Sequence, residues 1–165
     1  MTERISAIFA SEEQAEAAVN ELRRLELSDN RIAIVTRHSG GDHRKQEVET
    51  GLVAGAGLGA IFGLAAFLIP GVGPFIAAGS LAPVLVNIAG GAAAGAIAGG
   101  AGGLLESVLE RAGFARHEAE YFGSQLEEGA HLVVADIDSH QYSAPQIHEI
   151  FAQHGGQPAP EPKAI

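Results

Sequence analysis

Gly51-Leu-Val-Ala-Gly55-Ala-Gly-Leu-Gly59-Ala-Ile-Phe-Gly63, then Pro70-Gly71-Val-Gly73-Pro74, then Gly91-Ala-Ala-Ala-Gly95-Ala-Ile-Ala-Gly99-Gly-Ala-Gly-Gly103: this stretch decides how the chain is organised. It lies in a run from Thr50 to Leu105 without Asp, Glu, Lys, Arg or His, and it holds fifteen of the chain's 22 glycines. Glycine recurs every fourth residue on both sides of the proline pair. Four residues of an α-helix turn through roughly 400°, so each row forms a slowly drifting groove along one face. A groove without side chains lets two helix backbones approach closely. Two such rows predict a long apolar helical hairpin over 50–105, packed glycine to glycine. Pro70, Gly71, Gly73 and Pro74 are its predicted turn, because proline ends a helix and glycine permits positive φ.

The predicted helices are apolar all round, with Leu52, Val53, Leu58, Ile61, Phe62, Phe67 and Leu68 on the first. The second carries Leu81, Val84, Leu85, Val86, Ile88 and Ile97, with Asn87 as its conspicuous polar side chain. Such helices must be buried, in lipid or in other protein. A first helix of about 19 residues would span roughly 28 Å, close to the hydrocarbon core of a bilayer. Arg37, Arg44 and Lys45 before the insert and Arg111 and Arg116 after it would keep both ends of a membrane hairpin cytoplasmic. The alternative is a soluble oligomer whose hairpins form a shared core. The remaining 109 residues are too few to cover the insert in a monomer.

Outside the insert the chain reads as two halves of one small α/β domain, 1–49 and 106–154. Ile5–Phe9 is a short apolar run, and Ser11-Glu-Glu-Gln14 has the spacing of a capping box. Ala15, Ala18, Val19, Leu22 and Leu25 follow at helical intervals. Ile32–Val35 is a second strand, so the first half is a strand–helix–strand unit whose strands are expected to run parallel. In the second half Glu106–Leu109 ends a helix before Ala112-Gly113, and 116–128 forms another with Ala119, Phe122 and Leu126 on one side. His131–Ala135 is a strand, and Ser143 caps a helix bearing Ile147, Ile150 and Phe151. The order βαβ, insert, αβα predicts an α+β, ferredoxin-like sandwich with open sheet edges that a second copy would cover. Residues 155–165 are expected to be a disordered tail.

These quoted segments, with Gly113-Phe, Tyr121, Leu126-Glu-Glu-Gly129 and Leu132-Val-Val, together resemble the bacterial heat-induced or general stress protein family, whose small α/β domain is labelled YflT-like. The resemblance covers roughly residues 3–154 and rests on segment order more than on any single motif. It implies a stress-induced protein with no known enzymatic activity and no catalytic residues to carry over.

Charge and composition limit the chemistry. The net charge of −10 disfavours a nucleic-acid partner, and the lack of cysteine excludes disulfides and thiol catalysis. The first apolar run, Ile5 to Ala10, is short for a secretion signal. The expected location is the cytoplasm, either as a soluble oligomer or on the cytoplasmic face of the inner membrane. Neither a Gly-x-Ser-x-Gly elbow nor a phosphate loop with its lysine is present. The chain is expected not to be an enzyme and to bind no cofactor. Asp136-x-Asp138-x-His140 would share one face of an extended chain and is the best metal-binding geometry, with His38, Asp42 and His43 behind it. A solvated strand end is the simpler reading, so no metal is expected. His117, His131, His148 and His154 read as surface or edge residues.

Overall fold

A computed structural model describes residues 2–37, 66–68, 75–81, 83–84 and 104–160. The described chain is α+β. Strand β1 (Thr2–Phe9) leads through helix α1 (Glu12–Arg24) and a single 3-10 turn (Asp29–Arg31) to β2 (Ile32–Arg37). Strands β3 (Ala66–Leu68) and β4 (Phe75–Gly79) follow. Helices α2 (Leu104–Arg111) and α3 (Arg116–Glu127), strand β5 (His131–Asp138) and helix α4 (Ala144–Gln153) complete the order.

The expected domain elements have local causes. Ser11 caps α1 by accepting the Gln14 N–H at 3.2 Å, and Glu12 and Glu13 against Arg23 and Arg24 complement the helix dipole. Helix α3 begins where the Glu118 carboxylate accepts the Ala115 N–H at 3.0 Å. Gly113 and Gly129 close α2 and α3 with φ of 106° and 99°, a backbone that favours glycine.

All five strands form one antiparallel sheet in the order β1-β5-β2-β4-β3. Strands β1 and β2 run parallel, as the strand–helix–strand unit requires, but β5 is inserted between them. Ile5 lies opposite Ala135, and Ala135 opposite Ile32. The sheet is covered on both sides. Helices α1 and α4 pack on Ile5, Ala7, Phe9, Ile32, Ile34, Val133, Ala135 and Ile137. Helices α2 and α3 pack on Ile8, Ala33, Val35, Phe75, Ala77, Leu132 and Val134. The alternation along each strand thus feeds two cores. A ferredoxin-like sandwich places its helices on one face; here they occupy both, and that expectation is corrected to three layers.

The second correction concerns the insert. Ala66–Leu68 and Phe75–Gly79 are antiparallel neighbours, with Ala66 opposite Ala78 and Leu68 opposite Ile76. The predicted first helix therefore does not run to Ile69. Short apolar runs suit strand or helix equally, and the residue before a proline is pushed toward extended backbone. Strand β4 also pairs with β2, Ala33 opposite Gly79 and Arg37 opposite Phe75, so this part of the insert belongs to the domain. At Gly79, with φ of 84°, a Cβ would lie 1.9 Å from the Ile32 carbonyl oxygen; only glycine allows the chain to leave β4 there. Gly51, Gly55, Gly59, Gly63, Gly91, Gly95, Gly99 and Gly103, and the turn residues Pro70, Gly71, Gly73 and Pro74, lie outside the described residues.

The tail needs a third correction. Gly156 and Gln157 return along the outer edge of β1, where Ile8 and Gln157 exchange two backbone hydrogen bonds, each 2.9 Å. The described part of the tail, 155–160, is thus a strap and not a free end.

Candidate functional site

Three polar groupings interrupt the apolar layers, two of them anchored on strand residues and the third between helices α2 and α3. The first is at the start of β1. Arg4 donates to Asp136 at 3.0 Å and to the Ala112 carbonyl at 2.9 Å, and its guanidinium lies 5.2 Å from the Phe114 ring centroid. The strand pairing sets Arg4 opposite Asp136, and Ala112 follows the last turn of α2. One cation thus neutralises a carboxylate, satisfies a helix-end carbonyl and stacks on an aromatic face.

The same strand pairing places the Asp136, Asp138 and His140 trio. Asp136 is engaged by Arg4. Asp138 accepts the His140 backbone N–H at 3.0 Å, and β5 ends there in a turn closed by the Gln141 and Tyr142 N–H groups on the Asp138 carbonyl. The Asp138 carboxyl is held below its ordinary pKa chiefly by that backbone hydrogen bond, with His140 and Arg31 adding to it. Because the chain turns after Asp138, His140 does not continue the extended face. Among the described residues, no group of three or more His, Asp or Glu side chains is arranged to hold a metal ion. His38, Asp42 and His43 lie outside them.

The second grouping is at the far end of β2 and β5. Thr36 Oγ1 and His131 Nδ1 are 2.6 Å apart across a strand pair, and Thr36 is only 2% exposed. His131 is therefore no plain surface residue. Its pKa is lowered by burial, with Glu12 opposing the shift. Arg37, next along β2, donates to the Glu127 carbonyl at the end of α3 at 2.8 Å.

The third grouping is acidic. Gly123 of α3 leaves room for the Glu106 side chain, whose Cγ would lie 2.5 Å from a Cβ at that position. Burial, followed by Glu120, Glu127 and Glu110, raises the Glu106 pKa. Ser80, after β4, has a buried hydroxyl with no hydrogen-bond partner among the described residues; its backbone N–H is bonded to the Ile32 carbonyl at 2.9 Å.

Arg4 and Thr36 were not singled out by their sequence surroundings, and Arg37 and His131 were read there only as a flanking cation and a surface or edge residue. Each partner is about 90 or more residues away, so no local spacing marks them. Arg4 and Arg37 tie the ends of α2 and α3 to the sheet, and the one hydroxyl–imidazole pair among the three groupings, Thr36 with His131, lies across a strand pair with Thr36 buried. No family model, curated protein or solved structure matches the chain.

Proposed function

We propose that the chain is a non-enzymatic protein that self-assembles through its two glycine rows, and that it serves in the stress response its segment order resembles. The observation carrying the assembly is the β3–β4 ladder. With Ala66 opposite Ala78, the chain enters β3 and leaves β4 at the same end of one hairpin, the connectivity that mutual packing of the two rows would use. Helix α2 supplies the phase. Leu105, Val108 and Leu109 face the sheet, and Ser107 lies on the far side of the helix from them. Ser107 is four residues after Gly103, so the second row continues as a small residue on the side turned away from the domain.

Length favours a soluble assembly over a membrane hairpin. From Thr50 to the start of β3 there are 16 residues, which span about 24 Å as a helix against roughly 30 Å of hydrocarbon. None of the described helices is long and apolar enough to cross a membrane. Arg37, one of the cations flanking the insert, is engaged at the end of α3.

Sedimentation of the full chain, with and without lipid vesicles, tests the reading. The expected result is a lipid-free oligomer that Gly59→Leu or Gly95→Leu reduces in size, since overpacking of this kind typically costs about 1–3 kcal/mol. Co-sedimentation of all protein with vesicles would restore the membrane hairpin. An unchanged size in both variants would remove the glycine rows from the assembly.

A further inference from the structure

The outer edge of β1 is a second place where copies of this chain could meet, independent of the glycine rows. Ile8 directs its N–H and C=O outward, to Gln157. Alternation along an antiparallel strand then turns the corresponding groups of Thr2, Arg4 and Ser6 outward as well, while residues 3, 5, 7 and 9 bond β5. Among the described residues, nothing but Gln157 pairs with this edge.

Charge closes two of the ways in which a second copy could add here. In a two-fold antiparallel pair, outward-facing residues must meet outward-facing residues. Centring the pair on residue 3 sets Glu3 against Glu3 of the second copy. Centring it on residue 4 sets Arg4 against Arg4. Like charges directly opposite each other are unfavourable. Centring on residue 5 raises no such conflict: Ile5 meets Ile5, Arg4 meets Ser6 and Thr2 meets Ile8. Centring on residue 6 pairs Arg4 with Ile8. Both of these registers need the outward groups of Ile8, which Gln157 occupies.

We propose that the strap 155–160 is a guard that blocks strand addition of a second copy to β1. The strap is well seated for this. Gly156 packs where a Cβ would lie 2.7 Å from the Phe9 ring and 2.9 Å from the Phe151 carbonyl oxygen, and its N–H donates to that oxygen at 2.7 Å. Tyr121 reaches Gln157 at 3.5 Å, and Ala159 packs on the core beneath α2 and α3. The strap is also a poor template for a further strand. Pro158 and Pro160, on either side of Ala159, have no N–H to offer.

Gln157→Pro in the full chain removes the donor to the Ile8 carbonyl, and analytical ultracentrifugation at matched concentrations reads the result. A twofold rise in mean mass is expected. Adding Ser6→Pro should return the mass to that of the parent, because proline deletes an outward N–H while the β1–β5 ladder uses the odd residues. Gln157→Ala keeps both backbone groups and should leave the mass unchanged. Deleting 157–165 is the second route to an open edge and should behave as Gln157→Pro does. An unchanged mass in both opened variants overturns the proposal. So does a rise that Ser6→Pro leaves in place, or a rise in Gln157→Ala. Glycine-row assembly sets the parent mass in every arm, so its failure would alter the baseline and leave these differences intact.

Discussion

The two faces of the sheet are built differently. On one, α1 and α4 lie on an apolar bed bordered by the Thr36–His131 pair, and Phe9 meets Phe151 edge to face at 5.7 Å. On the other, α2 and α3 also bury an edge-to-face pair, Phe114 and Phe122 at 6.0 Å. The C-terminal end of each helix there is additionally tied by a strand arginine, Arg4 to Ala112 and Arg37 to Glu127. Helix α1 connects two strands through short links, and the tie just past its end is neutral, the Tyr142 hydroxyl donating to the Glu26 carbonyl at 3.2 Å. Helix α2 has only eight residues and follows the glycine-rich run. An isolated helix that short is not stable in water. The difference teaches that the helices entering from the insert are held by long-range arginine ties as well as by burial.

Removing one ring from each face should give the largest effects. Phe151→Ala and Phe122→Ala are both expected to cost about 3–5 kcal/mol in chemical denaturation. Phe151→Ala should expose the strap to limited proteolysis more than Phe122→Ala does, since the Phe151 ring braces Phe9 edge to face and the Phe9 ring lies against Gly156. Equal protection of the strap in both variants would break the distinction between the faces.

Arginine substitutions should be smaller and confined to one face. Arg4→Met keeps an apolar stem on Phe114 but leaves the Ala112 carbonyl and Asp136 without their donor. Its side chain is 31% exposed, so a loss of about 1–2 kcal/mol is expected. Arg37 is exposed, and Arg37→Met should cost about 0.5–1 kcal/mol. Hydrogen exchange should report faster opening of α2 in the first variant and of α3 in the second, with α1 and α4 unaffected.

The smallest effects should carry opposite signs on the two faces. His131 has a folded pKa below its ordinary value of 6.5, so the unfolded chain binds the extra proton and stability falls as pH drops below about 6.5. His131→Gln should flatten the melting temperature in that window. Glu106 has a folded pKa above its ordinary 4.5. Its ionisation therefore opposes folding, and stability falls as pH rises from about 4.5 through the raised value. Glu106→Gln should raise the melting temperature slightly at pH 7 and not at pH 4. A gain at both values would show that the variant acts through packing over Gly123 and not through charge.

The elements of the two half-domains were legible because their periodicity and caps agree. Ser11 caps α1 as its spacing predicts, Gly129 ends α3, and His131 opens β5. Strands β3 and β4 were not legible. Ala66-Phe-Leu is too short to show alternation, and the four-residue glycine spacing around it promotes a helical reading. Pro70 and Pro74 held the contrary signal, since each biases its predecessor toward extended backbone. Arg4 was hidden for another reason. Its partners depend on β5 entering between β1 and β2, which no local pattern encodes.

That central position of β5 has a consequence for the chain as it is being made. Strands β1 and β2 are complete once residue 37 has been added, yet they share no ladder until residue 138 has emerged. At typical rates of about 5–20 residues per second, those 101 intervening residues occupy roughly 5–20 seconds of synthesis. For that interval the nascent N-terminal half presents β-branched edges without their middle strand, and the uncharged glycine-rich run leaves the ribosome before the helices that follow it. The fold is thus completed by its C-terminal third, and a chain cut short before β5 would leave β1 and β2 without the strand that joins them.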